Sequence, residues 1–331
     1  MQLTQKKSRR GDLLTAAAVV MLLAVMSVLL YTGSLTRQVT NMLIPTAVYI
    51  VMAVSLNLVV GLLGELSLGH AGFMSVGLFS GCLVAIALTN TALPLMVRLP
   101  VSMLAGGLTA AVFGLLVGLP TLRLRGDYLA IVTLACGEII KNIITNLRVT
   151  GGALGLNTSA IYAGAKELLP YGAALVLLTV AVMLNLKRSK YGRAIMAIRD
   201  NRIAAESVGL SVTRYKLAVF VIAAFFAGCA GVLYGHSLAN IKAAAFDYNM
   251  SIEILVIVVL GGMGSVPGSV VSAIVLTVLP EALREVADYR MLVYAVVLIL
   301  VMQATNNPAM KRFFGAACKS LTPKRKERAA L

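Results

Sequence analysis

The sequence predicts an all-α polytopic membrane protein with about ten transmembrane helices, two of them interrupted by glycine-rich segments, and with both termini in the cytoplasm. The first observation behind this prediction is composition. Hydrophobic residues make up 59% of the 331 residues and charged residues only 13%, whereas a soluble domain carries about 25% charged residues. Most of the outward-facing surface is therefore expected to contact lipid.

The second observation is the length of the apolar runs, because a helix needs about 20 apolar residues to cross the hydrocarbon core. Seven runs approach or exceed this length, at 13–31, 39–60, 71–89, 99–119, 128–147, 170–186 and 217–235. The first run is too long for the core of a secretory signal, about 7–15 residues, so we expect it to be retained as a span. After Ser251 the apolar runs alternate with glycine and proline, which leaves two or three further spans open.

The third observation is the distribution of Lys and Arg, which is biased toward cytoplasmic loops in membrane proteins. With a cytoplasmic amino terminus and ten spans, 21 of the 29 cations fall inside and seven outside. Nine spans would place the basic carboxyl-terminal tail outside. We therefore expect cytoplasmic tails at 1–12 and 306–331 and a transmembrane domain at 13–305. The same placement argues against a nucleic-acid partner, despite the net charge of +16.

Two segments break the rule that a span is uniformly apolar, residues 59–77 (VVGLLGELSLGHAGFMSVG) and 260–269 (LGGMGSVPGS). Non-helical backbone at membrane depth must be buried in protein or line a cavity, and glycine- or proline-interrupted helices point to a substrate pathway. The candidate pathway residues are Glu65, Ser67, Gly69, His70, Gly72, Gly261, Gly262, Gly264 and Gly268. The alternative is two ordinary interfacial turns. Segments 55–72 and 251–268 share a leading Ser and a closing Gly, a weak sign of an internal repeat.

One further pair of charged residues lies inside an apolar run. Glu138 and Lys141 are three residues apart, which places them on one helical face. Charged groups in spans are costly and usually functional. The favoured interpretation is an intramembrane ion pair in which the two groups neutralise each other.

Catalytic and metal chemistry are not indicated. The histidines are His70 and His236 alone, and neither GxSxG nor HExxH is present. The four cysteines form no CxxC or Cys/His cluster, and there is no GxxxxGK[ST] nucleotide-binding motif. We expect no enzyme, no catalytic residue, no metal site and no cofactor bound by this chain.

The longest predicted cytoplasmic connection, residues 187–216, mixes charged and small apolar residues at helical spacing. Asp200 or Asn201 could cap a second short helix, and Gly209 could end it. A short amphipathic helix there would suit docking into the groove of a partner. A solvated connector held at lipid headgroups by its basic charge is the alternative.

In this connection, YGRAIMAIRDNRIAAESVGL resembles the coupling loop of the LivM-type branched-chain amino acid permeases of ABC importers. Three further stretches resemble the same family: GELSLGHAGFMSVG, RGDYLAIVTLACGEIIKNII and VLGGMGSVPGSVVSAI. The resemblance implies a permease subunit of a bacterial inner membrane that moves branched-chain amino acids, or related small amino acids and amides. It also implies a homologous second permease, two cytoplasmic ATPases that bind ATP and Mg, and an external substrate-binding protein.

The resemblance further implies that the residues of this loop that match the family contact the ATPases. These are Gly192, Arg193, Ala194, Ile198, Asp200, Asn201, Ala204, Ala205, Glu206 and Gly209. One departure is Glu65, at a position where members often carry Gln. The alternative function is a stand-alone ion-coupled secondary transporter of a small polar solute, with Glu65, Glu138 and Lys141 as its coupling groups.

Overall fold

A computed structural model of the protein describes residues 36–89, 94–122, 124 and 126–282, together with a few isolated positions. The chain forms a large unit that ends at Val278 and a smaller unit that begins at Leu279. Both basic tails, most of the predicted span at 13–31 and the apolar run near 290–303 lie outside the described residues.

The described chain is mostly helical. Its helices are α1 (Arg37–Asn57), α2 (His70–Thr89), α3 (Leu95–Thr121), α4 (Asp127–Asn146), α5 (Ala165–Arg188), α6 (Lys190–Asp200), α7 (Arg202–Ser207), α8 (Val212–His236), α9 (Tyr248–Gly261) and α10 (Val266–Ala282). A π-helical turn, Leu58–Leu63, continues α1. Strands β1 (Leu156–Asn157) and β2 (Asn240–Ile241) form a short antiparallel ribbon with Leu156 opposite Ile241.

Seven helical stretches are long and apolar enough to cross a membrane. They are Gln38–Leu63, His70–Thr89, Leu95–Thr121, Asp127–Asn146, Ala165–Arg188, Val212–His236 and Ala243–Gly261, and a shorter apolar helix covers Val266–Pro280. These stretches confirm the prediction of a helical, multi-pass membrane protein. The count of ten spans and the cytoplasmic position of the termini stay predictions.

The centre of the large unit is a contact of α2, α3 and α8 through three glycines, Gly77, Gly106 and Gly228, which we call the glycine seam. A Cβ atom on Gly77 would overlap the Cα of Gly228, and one on Gly106 would overlap the carbonyl oxygen of Gly77. Small residues allow such close approach between helices in lipid, where no hydrophobic drive holds them together. The seam therefore places three backbones in direct contact.

Packing along the seam also fixes helix directions. Gly77 faces Gly228, and four residues later Gly81 faces Val232, so α2 and α8 run in the same direction. Gly106 faces Gly77, while the earlier residue Ser102 faces the later residue Gly81, so α3 runs in the opposite direction. These directions agree with α2 and α3 being successive spans.

The interruptions are shorter than predicted. Residues 64–69, the first break, and 262–265, the second break, lie between helices, so His70, Gly72, Gly261 and Gly268 are helical. Their glycines serve close packing instead: a Cβ atom on Gly72 would lie 2.9 Å from the Cα of Gly137, and one on Gly268 would overlap the carbonyl oxygen of Gly261. The chain turns at other glycines, Gly64, Gly262 and Gly264, which have φ of 79°, 87° and 81°.

Candidate translocation and coupling site

The first break follows directly from the π-helical turn. The turn ends at Gly64, and the N–H of Glu65 donates to the carbonyl of Val59 at 3.3 Å, six residues back. Beyond it, the N–H of Leu68 donates to the Thr133 hydroxyl on α4 at 3.1 Å. Neighbouring helices therefore satisfy part of the unwound backbone, as membrane burial requires. Single π-helical turns are frequent at functional sites.

Two serines from other helices contact the first residues of α2. Ser55 Oγ on α1 is 2.8 Å from His70 Nε2, and the hydroxyl of Ser251 on α9 accepts a hydrogen bond from the N–H of Ala71 at 3.2 Å. Backbone N–H groups in the first turn of a helix have no intrahelical acceptor, so Ser251 supplies one. These serines lead the two segments that match weakly in sequence, and both reach the same helix terminus.

Asn57, the last residue of α1, joins α1 to the second break. Its Oδ1 accepts from the N–H of Gly264 at 2.7 Å, and its Nδ2 donates to the carbonyl of Ser265 at 3.1 Å and to the Ser269 hydroxyl at 2.8 Å. The side chain is fully buried. Sequence reasoning missed Asn57, although an amide inside the apolar run 39–60 was a signal, because polar groups within spans are costly.

Gly61 lets the π-helical turn pack against the second break. A Cβ atom there would overlap both Asn57 Oδ1 and the backbone nitrogen of Gly264. The π-helical turn and the second break are therefore in backbone contact. The structure brings the two predicted pathway segments to one place, although about 200 residues separate them in sequence.

Glu65 forms an ion pair with Lys216, a residue near the start of α8. The side chains of Glu65 and Lys216 are only 13% and 6% exposed. Within the described residues, Glu65 Oε2 and Ser67 Oγ are buried without a hydrogen-bond partner. A buried charge is tolerated only when it is paired, so the pair fixes the first break against α8. Sequence reasoning counted Lys216 only as one of the loop cations.

The predicted coupling loop, residues 187–216, folds into two short helices. The Ser189 hydroxyl caps α6 by accepting from the N–H of Gly192 at 3.0 Å, and Asn201 Oδ1 caps α7 by accepting from the N–H of Ala204 at 3.0 Å. Gly209, with φ of 85°, follows α7. The loop is thus an ordered helical pair.

Some of the predicted coupling residues are buried, and most are exposed. Gly192, Ile198 and Ala205 are buried, and Ile198 and Ala205 pack with Val212 in a small core. Ala194 is partly exposed, and the others are exposed: Arg193, Asp200, Asn201, Ala204, Glu206 and Gly209. Sequence reasoning missed Ile203 and Val208, which are 80% and 82% exposed. Exposed apolar side chains of this kind are typical of interaction surfaces.

Two cations of the coupling loop contact the breaks. Arg199 Nη1 donates to the carbonyl of Gly61 at 3.0 Å, while Nε and Nη2 of the same guanidinium each donate to Asp200 Oδ1 at 3.1 Å. Lys187 Nζ donates to the carbonyl of Gly264 at 3.0 Å. The coupling loop is therefore hydrogen-bonded to the backbone of the π-helical turn, just before the first break, and to the backbone of the second break.

A cavity of about 430 Å³ lies between the first break and the coupling loop. Its lining combines apolar side chains with equal numbers of acidic and basic ones: Leu63, Gly64, Glu65, Gly126, Ile198, Arg199, Asp200, Asn201, Arg202, Ile203, Glu206 and Lys216. One predicted pathway residue, Glu65, thus lines the same space as four predicted coupling residues, Ile198, Asp200, Asn201 and Glu206.

Glu138 and Lys141 form an ion pair on α4, with side chains 27% and 20% exposed. Glu138 Oε1 also accepts from the N–H of Tyr248, the first residue of α9, at 2.9 Å. The carboxylate therefore serves two roles, charge neutralisation of Lys141 and attachment of α9 to α4. Across the described ranges, no group of three His, Cys, Asp or Glu residues is arranged to hold a metal ion.

Comparison with known proteins agrees with this architecture. A family model described as "Branched-chain amino acid transport system / permease component" matches residues 38–302. The chain belongs to this family. The resemblance noted in the sequence is confirmed, and the described spans, both breaks and the coupling loop all lie within the matched region.

Individual relatives carry the same kind of description. The chain is 36% identical to the high-affinity branched-chain amino acid transport system permease protein LivM of Salmonella typhimurium over 296 residues, 78% of this chain and 66% of that protein. It is 37% identical to LivM of Escherichia coli over 290 residues, with the same coverage. It is 25% identical to the ribose import permease protein RbsC of Haemophilus influenzae over 308 residues, 89% of this chain and 93% of that protein.

The match thus spans slightly less than two thirds of the length of each of these two LivM relatives. No solved structure matches the chain. All three relatives are described as permease proteins, and the expectation that the chain itself catalyses no reaction stays a prediction.

Proposed function

We propose that this chain is the transmembrane permease subunit of an ATP-driven ABC importer in a bacterial inner membrane. Its cargo would be branched-chain amino acids, or related small amino acids and amides, delivered by an external binding protein. One observation carries the proposal: the two helix breaks and the coupling loop meet at a single place. An externally driven pathway needs such a connection between its moving part and the site of energy input.

The relatives support the substrate class. The LivM proteins, at 36–37% identity, are described as branched-chain amino acid permeases, and RbsC, at 25%, as a ribose import permease. Amino acids are thus favoured over sugars. The departure at Glu65 bears on preference only indirectly, because this carboxylate pairs with Lys216.

A second permease is the proposed lateral partner. The chain is also 31% identical over 126 residues to LivH of Salmonella typhimurium, a permease protein of the branched-chain amino acid transport system. The spans formed by α4 and by residues 243–261 have the smallest buried share among the candidate spans. Since α4 carries a partly exposed ion pair, Glu138 and Lys141, its outer face suits a protein partner better than lipid.

The energy would come from two cytoplasmic ATPases, because the chain has no GxxxxGK[ST] motif of its own. Their proposed contact is the α6–α7 pair, which exposes Ile203 and Val208 beside charged residues. Closure of the ATPases on ATP would push this pair and rock the span bundles about the pathway. ATP and Mg would be held by those subunits and not by this chain.

Reconstitution tests the proposal. The chain, a second permease and the ATPases are placed in liposomes with the binding protein outside and ATP inside, and uptake of radiolabelled leucine is measured. We expect uptake only when ATP and the ATPases are both present. Uptake by the chain alone under a proton or sodium gradient would overturn the proposal and support a secondary transporter.

Two substitutions test the docking surface. Arg193→Ala and Glu206→Ala change exposed side chains, so we expect weaker co-purification of the ATPases with normal insertion into the membrane. Unchanged co-purification together with unchanged transport in both variants would remove the case for docking at this loop.

A further inference from the structure

Lys187 and Arg199 stand at opposite ends of α6. Lys187 lies in the last turn of α5, immediately before α6, and Arg199 lies in the last turn of α6. Each donates a hydrogen bond to one peptide carbonyl, Lys187 to Gly264 and Arg199 to Gly61. The end of α5 is thus tied to the second break, and the end of α6 is tied to the π-helical turn that leads into the first break.

Both accepting carbonyls lie where the regular hydrogen bonding of a helix ends. The last carbonyls of a helix have no intrahelical donor, and Gly61 is within the last turn before Gly64, while Gly264 lies between α9 and α10. Each needs a donor from elsewhere when it is buried in protein. A charged donor makes a stronger hydrogen bond than a neutral one, so these contacts join the loop to the breaks firmly.

Two contacts hold the Arg199 side chain in place, one with Asp200 and one with the first break. Asp200 accepts from Nε and Nη2 of Arg199, which leaves Nη1 directed at Gly61. The aliphatic stem lies over the first break, where a Cβ atom on Gly64 would be 2.5 Å from Arg199 Cγ. A planar guanidinium can bridge two acceptors in fixed geometry, whereas a Lys ammonium acts as a point charge.

We propose that Lys187 and Arg199 are positioning residues that transmit displacement of α6 to the two helix breaks. This inference rests on the proposed function, in which an ATPase displaces α6. Asn57 at the end of α1 hydrogen-bonds to Gly264 and Ser265, and Gly61 packs against Gly264, so the π-helical turn that leads into the first break is held to the second break. The ion pair of Glu65 with Lys216 holds the other side of the first break to α8, so displacement of α6 shears the break against α8.

The test measures the coupling ratio, leucine transported per ATP hydrolysed, in the reconstituted complex with its binding protein. Arg199→Leu and Lys187→Met are compared with the wild type and with Arg199→Lys, which keeps the charge but not the planar fork. We expect ATP hydrolysis to continue in every variant. The coupling ratio should fall about tenfold for each loss of a charge-assisted hydrogen bond, and Arg199→Lys should fall between Arg199→Leu and the wild type.

Arg214→Gln is the matched control. Arg214 is an exposed arginine of the same loop, in the first turn of α8, and it is not among the residues that line the cavity. Its coupling ratio should equal that of the wild type even if its total ATP hydrolysis changes. Because the ratio is taken only over assembled, hydrolysing complexes, a variant with a low yield still gives a result.

A second readout follows the break itself. Ser67 is buried in the first break, so Ser67→Cys, in a chain whose native cysteines are replaced by Ser, should change its rate of labelling between ATP-bound and nucleotide-free complexes. We expect Arg199→Leu to abolish this difference while hydrolysis continues. Wild-type coupling ratios and labelling differences in both Arg199→Leu and Lys187→Met would overturn the inference.

Failure of the proposed function and failure of this inference give different results. If the wild-type chain binds no ATPase and transports without ATP, the proposed function fails. If the wild type is ATP-driven and the variants stay fully coupled, the proposed function stands and only the role of Lys187 and Arg199 fails.

Discussion

At the scale of single residues, the site depends on polar groups buried in an apolar surrounding. Asn57 is fully buried and makes three hydrogen bonds to the second break and to α10. Glu65 and Lys216 form a pair of opposite charges that is largely shielded from solvent. Removing Asn57, Glu65 or Lys216 takes a hydrogen-bond acceptor from Gly264 or the counter-charge from a shielded ion, which costs more than the interaction itself contributes.

Asn57→Leu should destabilise the protein because the N–H of Gly264 would lose its acceptor, at a cost of about 1–3 kcal/mol. The carbonyl of Ser265 would still accept from the N–H of Ser269. The measurement is the midpoint of thermal unfolding of the purified protein in mild detergent. Ser269→Ala is the control, since it removes only one of the three bonds, and a larger loss in Ser269→Ala than in Asn57→Leu would contradict this account.

Glu65→Gln should lower the unfolding midpoint because the Lys216 ammonium would be left buried without a counter-charge, at a cost of about 3–5 kcal/mol. Lys216→Met should do the same for Glu65, and the double variant should lose less than the two single variants together. The same thermal assay gives all three values. Strict additivity would show that the two side chains do not interact.

At the scale of elements, the sequence predicted the type and approximate place of the described spans and the short second helix of the coupling loop. Apolar length and capping residues are local signals, and Asn201 acts as the cap. The predicted breaks were too long because glycine in an apolar run can have two structural roles. Gly64 turns the chain, whereas Gly72 admits the backbone of α4, and no local pattern separates these uses.

Contacts between distant elements were beyond prediction from the residues alone. Arg199 and Gly61 are 138 positions apart, and Lys187 and Gly264 are 77 apart. A single sequence contains no periodicity that relates such positions. The predicted pathway and the predicted coupling loop were therefore identified separately, and their meeting became visible only in the fold.

Gly77→Ala should impair packing of α2 on α8, because the added Cβ would overlap the Cα of Gly228. We expect a lower unfolding midpoint and less folded protein by fluorescence-detected size exclusion. Gly164→Ala is the matched control, since Gly164 has φ of −71° and nothing within 4 Å of an added Cβ. The control should stay within about 0.5 kcal/mol of the wild type, and an equal effect in both variants would contradict the seam's role.

At the scale of the whole molecule, the alternating directions of α2, α3 and α8 agree with the positive-inside assignment. That assignment places the segment between α4 and α5 outside and the coupling loop inside. The two regions lie on either side of α5, Ala165–Arg188. Chain orientation in the membrane can thus be tested with one probe on each side of a single span.

Leu154→Cys and Val208→Cys supply these probes, because the native side chains are 83% and 82% exposed. In a chain whose native cysteines are replaced by Ser, a membrane-impermeant maleimide applied to intact spheroplasts should label Leu154→Cys only. Val208→Cys should label only after the membrane is opened. Labelling of both from the outside would contradict the assigned orientation.

The glycine seam has a consequence for measurement. Three backbones in contact leave no room for relative sliding without loss of the fold, so α2, α3 and α8 form a common reference frame. Spectroscopic labels at the ends of α3 and α8 should keep a constant separation through the transport cycle. Distances from those labels to a label on α6 would then report the motion of the coupling loop alone. The displacement that the ATPases cause in α6 could be read in ångströms.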